Sequence, residues 1–442
     1  MKHLLFLILF APGMFSAQHT ITGVFSPAKD YNMVLLYKVT PTISEYITND
    51  EVREDGSFQF KLDSTATKGI YRIVYAVPQE DYNFDVIYNE KEDIDLSFNS
   101  ETGVTFNKSG ENKLMTSYAN SMSMITQSIG NYYRQNREDK KALKAIFKTQ
   151  KEAQLNFEEA AKGTIALEFI KANKPYIPEV IEDVETYTEN LKTHYFDHIN
   201  FNNITLQSSN FLQERMLNYV FGVTESGIDE ETNYKRNIDT FCNVIKTVPN
   251  EVKRILLIDL WTQMADLGNE PVANYISDSY LIDIAVALND QTLIKDLLLY
   301  TSLSNGKKAP DFTVELEKDK KIIPKKLSEL DLAQNYIIVF WSSMCSHCLD
   351  EIPRLQKFVK TKEQDLIQVI AIGLEEEPYK WKDLTYSYPE FIHVYGEGKW
   401  DNEIGDLYNV SATPTYFVLN KNKEIIAKPE NFEDLKMFFG EE

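Results

Sequence analysis

The chain has 442 residues, 43% of them apolar, which at roughly 150 residues per domain is enough for about three domains with a buried core in each. A disordered chain is excluded. Against 46 basic residues stand 67 acidic ones, and the net charge of −21 repels phosphate backbones and anionic lipid surfaces, which argues against nucleic acid as a partner. With 3 cysteines no framework of several disulfides is possible, and Cys345 and Cys348 lie close together, so cysteine reads as chemistry rather than scaffolding.

Residues 1–17 have the three parts of a secretory signal peptide: Lys2 and His3, an apolar run over 4–10, and a small-residue end at Ser16 and Ala17. Cleavage after Ala17 is expected, with Phe15 larger than the residue usual at its place. The run is well short of the ~18 apolar residues of a membrane span, and no cysteine stands at the cut to take a lipid. Export to an oxidising compartment, the periplasm or cell envelope, follows.

Residues 18–109 hold short alternating runs, such as 33–37, 57–62 and 71–75, split by turn signals that include Asp55-Gly56. A small antiparallel β domain is expected. Over residues 110–304 apolar residues recur at helical spacing, as in Phe211, Leu212, Met216, Leu217 and Val220, with Pro175, Pro178 and Pro249 as breaks. This is an α-helical middle region. From residue 305 to 442 strands alternate with helices: strands at 312–316, 336–341, 367–372, 391–395, 416–419 and 424–427, helices after Cys345 and near 379–384, 402–408 and 431–439. Such alternation predicts an α/β sheet covered on both faces.

Cys345 follows a buried strand and opens a helix, so its sulfur faces unpaired N–H groups and the positive end of the helix dipole, which favours thiolate over thiol. Cys348 lies one turn on, near enough to attack a mixed disulfide formed at Cys345. The bland alternatives are a structural disulfide or half a zinc site. The latter lacks a second cysteine pair, since Cys242 stands alone in a helical stretch.

Three motifs carry a resemblance. Ala309-Pro310-Asp311-Phe312, then the segment 338–353 with Phe340-Trp341-Ser342-Ser343-Met344-Cys345-Ser346-His347-Cys348, then Ala412-Thr413-Pro414-Thr415, are similar to the exported thioredoxin-like reductases of the ResA and TlpA type. The resemblance covers residues 305–442 and implies a C-terminal α/β thioredoxin-like fold, a redox-active disulfide Cys345–Cys348 with no other cofactor and no metal, and thiol-disulfide exchange with protein substrates. Upstream, Asp55-Gly56-Ser57-Phe58, Gly110-Glu111-Asn112 and Tyr195-Phe196-Asp197-His198-Ile199 resemble accessory regions that precede such domains in envelope proteins; no activity follows from them.

The resemblance also assigns roles. Glu351 matches a glutamate that adjusts the cysteine pKa values and shuttles protons, and strand 336–340 offers no carboxylate of its own; a solvated glutamate in a first helical turn is the bland reading. Thr413-Pro414 matches the cis-proline loop, which exposes backbone for an extended substrate. His347 stands where the reductases more often carry proline, and Met344 where they usually carry tryptophan. A protonated imidazole at His347 would stabilise the Cys345 thiolate and push the couple toward an oxidant; an exposed bystander is the alternative.

Reduction is the expected direction, with a membrane electron donor to supply it. A rival class is an envelope binding protein whose pair is non-catalytic, or a Cu(I) module in which Met344, Cys345, His347 and Cys348 act as soft ligands. His194 and His198, four apart, have helical spacing for a metal, but Tyr195 stands where a zinc protease has its glutamate, and packed histidines are the plainer reading. The acidic surface and the helical region suggest a partner or homodimer surface.

Overall fold

The computed structural model describes residues 19–41, 43–79, 81–135, 139–318, 321–363 and 365–440, so the expected signal peptide, residues 1–17, lies outside the described residues. Among those described, no helix is long and apolar enough to cross a membrane. The chain forms two compact units, residues 1–260 and 261–442.

In the first unit, β1 (His19–Ser26), β2 (Met33–Val39), β3 (Ser44–Glu51), β4 (Ser57–Leu62), β5 (Gly69–Val74), β6 (Asn83–Tyr88), β7 (Ile94–Asn99) and β8 (Gly103–Lys108) make two four-stranded sheets, ordered β4-β1-β7-β8 and β3-β2-β5-β6. Alternation builds the core between them: in β4, Phe58, Phe60 and Leu62 are buried while Gln59 and Lys61 are exposed. The pairing is antiparallel except between β1 and β7, which run parallel. Gly56 sits at φ +83°, and a Cβ there would meet the Phe25 carbonyl oxygen at 2.2 Å, so the Asp55-Gly56 turn admits only glycine.

The first helix, Gly110–Arg134, is tied to this sandwich by a side chain acting as a strand. β6 is a sheet edge, and the buried Asn112 accepts the Ile87 N–H and donates to the Ile87 C=O, both at 2.8 Å. One amide thus satisfies both backbone groups at that edge. Its neighbour Glu111 accepts the Ile165 N–H at 3.0 Å, so Gly110-Glu111-Asn112 is a structural junction between sheet and helices.

In the second unit, β9 (Thr313–Lys318) and β10 (Lys321–Lys326) form a hairpin, and β11 (Asn335–Trp341), β12 (Ile367–Glu375), β13 (Ile392–Glu397), β14 (Thr415–Asn420) and β15 (Ile425–Ala427) form a sheet ordered β13-β12-β11-β14-β15. β11, β12 and β13 are parallel, while β14 and β15 add antiparallel. From Tyr336 to Trp341 no residue of β11 is more than 1% exposed. Tyr336, Ile338 and Phe340 enter one core and Ile337, Val339 and Trp341 the other, which is why this strand reads as an unbroken apolar run. Every strand expected from the sequence is present; β10 was not expected, because all six of its positions are exposed and Pro324 interrupts it.

The last helices of the middle region fold with this sheet. Leu299 and Leu303, on and just after the helix Gln291–Ser302, pack into the core of Phe312 and Tyr336. Glu270 is 7% exposed, accepts the Asn305 N–H at 2.7 Å and pairs with the Lys428 ammonium. A compact unit therefore starts at Trp261, upstream of the composition change at 304/305.

Replacing Asn112 with Ala strands two buried backbone groups of Ile87, each worth ~1–3 kcal/mol when left unpaired. The variant is expected to lose at least ~2 kcal/mol, read as a lowered urea midpoint of the first unit.

Candidate functional site

β11 ends at Trp341, and the helix Ser346–Lys360 starts behind Cys345, which is its N-cap. The turn between them is closed by the Cys345 N–H donating to the Ser342 C=O at 3.1 Å. The capping atom is the sulfur itself: the Cys348 N–H donates to Cys345 Sγ at 3.2 Å, and the thiol donates to the Thr413 C=O at 3.2 Å. First-turn N–H groups have no partner within a helix, so the sulfur occupies a position made for an anion.

The two cysteines, both free thiols here, differ in their surroundings. Cys345 is partly exposed, and although burial pushes its thiol up, hydrogen bonds from Cys348, from the Thr413 side chain and from the His347 main chain outweigh it and hold the group below the ordinary thiol range. Cys348 is 0% exposed, and burial together with its hydrogen bond to Cys345 pushes it up to about 12. One thiol is poised to attack and the other is held protonated behind it.

The structure spreads the remaining expected residues around this pair. His347 lies exposed, and what it gives Cys345 is its main-chain N–H. Glu351 follows Cys348 on the same helix; its Oε2 accepts the Tyr416 hydroxyl at 2.8 Å and the Phe432 N–H at 3.1 Å. Tyr416 belongs to the same buried cluster as Cys348, and burial, with Glu351 next, raises its hydroxyl well above the usual range and keeps it a donor. The Thr413–Pro414 bond is cis, and Thr413 meets the Cys345 sulfur through its carbonyl. Met344 is 71% exposed with the Lys380 ammonium 3.3 Å from its sulfur.

One residue of this site was not anticipated. Glu375, 4% exposed at the end of β12, accepts the Ser343 N–H and so anchors the turn that presents Cys345. Its signal was an acidic residue closing an apolar strand, but the strand beside the motif, not the motif's own, supplies it. His194 and His198 lie elsewhere, in the first unit, where His194 Nδ1 pairs with Asp197 at 2.6 Å and its ring stacks on Tyr176. Among the described residues no three of His, Cys, Asp and Glu gather closely enough to hold a metal ion.

Residues 305–428 match the AhpC/TSA family. This stretch is a thioredoxin-like domain. Among curated proteins it is similar to the thiol-disulfide oxidoreductase ResA of Bacillus subtilis, 26% identical over 125 residues that cover 28% of this chain and 66% of that one. The sporulation thiol-disulfide oxidoreductase A of the same species is 26% identical over 109 residues, covering 24% and 65%. The chain thus spans about two thirds of the length of these relatives. Among solved structures, a domain of a possible thiol-disulfide isomerase from Cytophaga hutchinsonii is 31% identical and aligns over 30% of this chain and 90% of that one, with a TM-score of 0.26. A thioredoxin-like protein from Bacteroides caccae, 19% identical, aligns over 60% and 96% with a TM-score of 0.32.

The unequal thiols of this domain set its reactivity. In the reduced protein near neutral pH, iodoacetamide is expected to modify Cys345 well before Cys348, with a rate that climbs with pH and levels off below the ordinary thiol value. Peptide mapping of the alkylated protein checks this; faster labelling of Cys348 would reverse the assignment.

Proposed function

We propose that the C-terminal domain exchanges disulfides with exported protein substrates, in the reducing direction. The observation that carries the reading is the pairing of a partly exposed, helix-capping Cys345 with a fully buried Cys348 one turn behind it. The Cys345 thiolate attacks a substrate disulfide, forming a mixed disulfide and releasing one substrate sulfur as thiolate. Cys348 then gives up its proton and attacks Cys345 Sγ, releasing the second substrate thiolate and leaving a Cys345–Cys348 disulfide. Two electrons pass from dithiol to substrate. Glu351, three residues after Cys348 on the same helix, takes the Cys348 proton, and the main chain at Thr413-Pro414 docks the substrate strand.

Turnover in an oxidising compartment needs a donor to reduce the new disulfide, and a membrane protein passing reducing equivalents outward would serve. Removal of residues 1–17 on export belongs to the same proposal. The rival Cu(I) reading is disfavoured by the Lys380 ammonium beside Met344, which sets a positive charge against one of its four soft ligands.

Insulin reduction tests the reading. Cys345→Ser is expected to abolish turnover, whereas Cys348→Ser should accumulate mixed disulfides through Cys345 that dithiothreitol releases. Wild-type protein without turnover would return the pair to a structural or binding role.

His347 separates two sources of thiolate stabilisation. His347→Pro removes both imidazole and N–H, and His347→Gln removes only the imidazole. If the main chain is the source, the proline variant alone becomes more reducing, because its reduced form loses thiolate stabilisation. A shift of ~30 mV corresponds to about 1.4 kcal/mol for two electrons and is measurable by equilibration with glutathione. Equal shifts in both variants would assign the effect to the imidazole.

A further inference from the structure

One cavity of the first unit combines two kinds of wall. The helix Lys140–Ala160 and the segments 174–181 and 194–198 enclose about 740 Å³. That lies within the ~300–1,000 Å³ of small-molecule sites. Lys144, Lys148 and Lys151 recur at helical spacing and line it from one helix face, and Lys174 lines it from the segment that follows. Between these cations lie Phe147, Tyr176, Ile177 and Pro178, of which Phe147 and Pro178 are buried.

The cavity's own carboxylates leave most of this charge unanswered. Asp197 is taken by His194 at 2.6 Å, and Glu179 is exposed. Lys148 pairs with Glu152 at 3.7 Å, while Lys144, Lys151 and Lys174 have no ion pair among the described residues. Like charges three and four residues apart on a helix repel each other. Here they are held together in a protein whose net charge is −21. A cleft lined by one sign of charge over apolar walls concentrates the opposite charge.

We propose that this cavity binds a small amphiphilic anion, an acidic head group on an apolar body, with the head among Lys144, Lys151 and Lys174 and the body on Phe147, Tyr176 and Ile177. A purely polar anion gains nothing from the apolar floor, and an apolar cation is repelled at the rim. Neither the thiol chemistry nor the relatives of the C-terminal domain assign this site.

Titration calorimetry of the whole protein with sodium decanoate, below its micellar concentration, tests it. One site per chain is expected, weakened by added salt and at least ~10-fold weaker in K144Q/K151Q/K174Q, whose three substitutions are at exposed positions and should leave the circular dichroism unchanged. Decylammonium and inorganic phosphate are each expected to bind at least ~10-fold more weakly than decanoate. The proposal is overturned if decanoate does not bind, if the triple variant binds it as tightly, or if phosphate or decylammonium matches it. Binding to anionic phospholipid vesicles without binding to monomeric decanoate would assign the lysines to a membrane surface and overturn it as well.

Discussion

The Cys348 N–H reaches the Cys345 sulfur because the helix begins at that residue and no earlier turn claims the donor. That start is dictated from below. The helix Ser346–Lys360 buries Cys348, Ile352, Leu355 and Phe358 against Ile337, Val339 and Trp341 of β11, so its axis and its first turn are fixed by a strand enclosed on both faces. A fully buried strand leaves its chain at the sheet's carboxyl end, where the following turn and helix N-terminus gather unpaired donors. The main-chain part of the thiolate stabilisation is therefore a consequence of core packing.

Two carboxylates then hold the motif at either side. Glu375 takes the Ser343 N–H ahead of Cys345, and Glu351 takes the Tyr416 hydroxyl and the Phe432 N–H beyond Cys348. Each therefore anchors backbone. Tyr416 lies on β14, two residues after Pro414, so the strand that follows the cis-proline loop is joined to the cysteine helix through one hydrogen bond.

How much of this could be read from the sequence follows from the range of each interaction. The apolar run of β11, the cysteine spacing and the turn before β14 are local patterns, and each was legible. Glu375 is brought to Ser343 by parallel pairing of β11 with β12, 32 residues apart, and no local pattern announces it. β10 was missed because an exposed hairpin strand lacks the burial that produces alternation. The junction at Asn112 showed as a motif, but its physical content, an amide standing in for a strand, appears only when β6 is seen to be an edge.

The lysine face of the helix Lys140–Ala160 illustrates the same limit from the other side. Its period places Leu143, Phe147, Gln150 and Gln154 inward, and the residues beside them, Lys144, Lys148 and Lys151, come out on the flank. In sequence such a stripe is an ordinary solvated face. Its meaning changes when the segment around Tyr176 folds back over it, because Tyr176 stacks on His194 and bonds to Glu182 at 2.8 Å, fixing a second wall. The cations then border a cleft with an apolar floor, which focuses their common sign of charge. A charge pattern that costs little on a free helix becomes a binding preference once a second wall faces it across a cleft, and that second wall is a property of the fold alone.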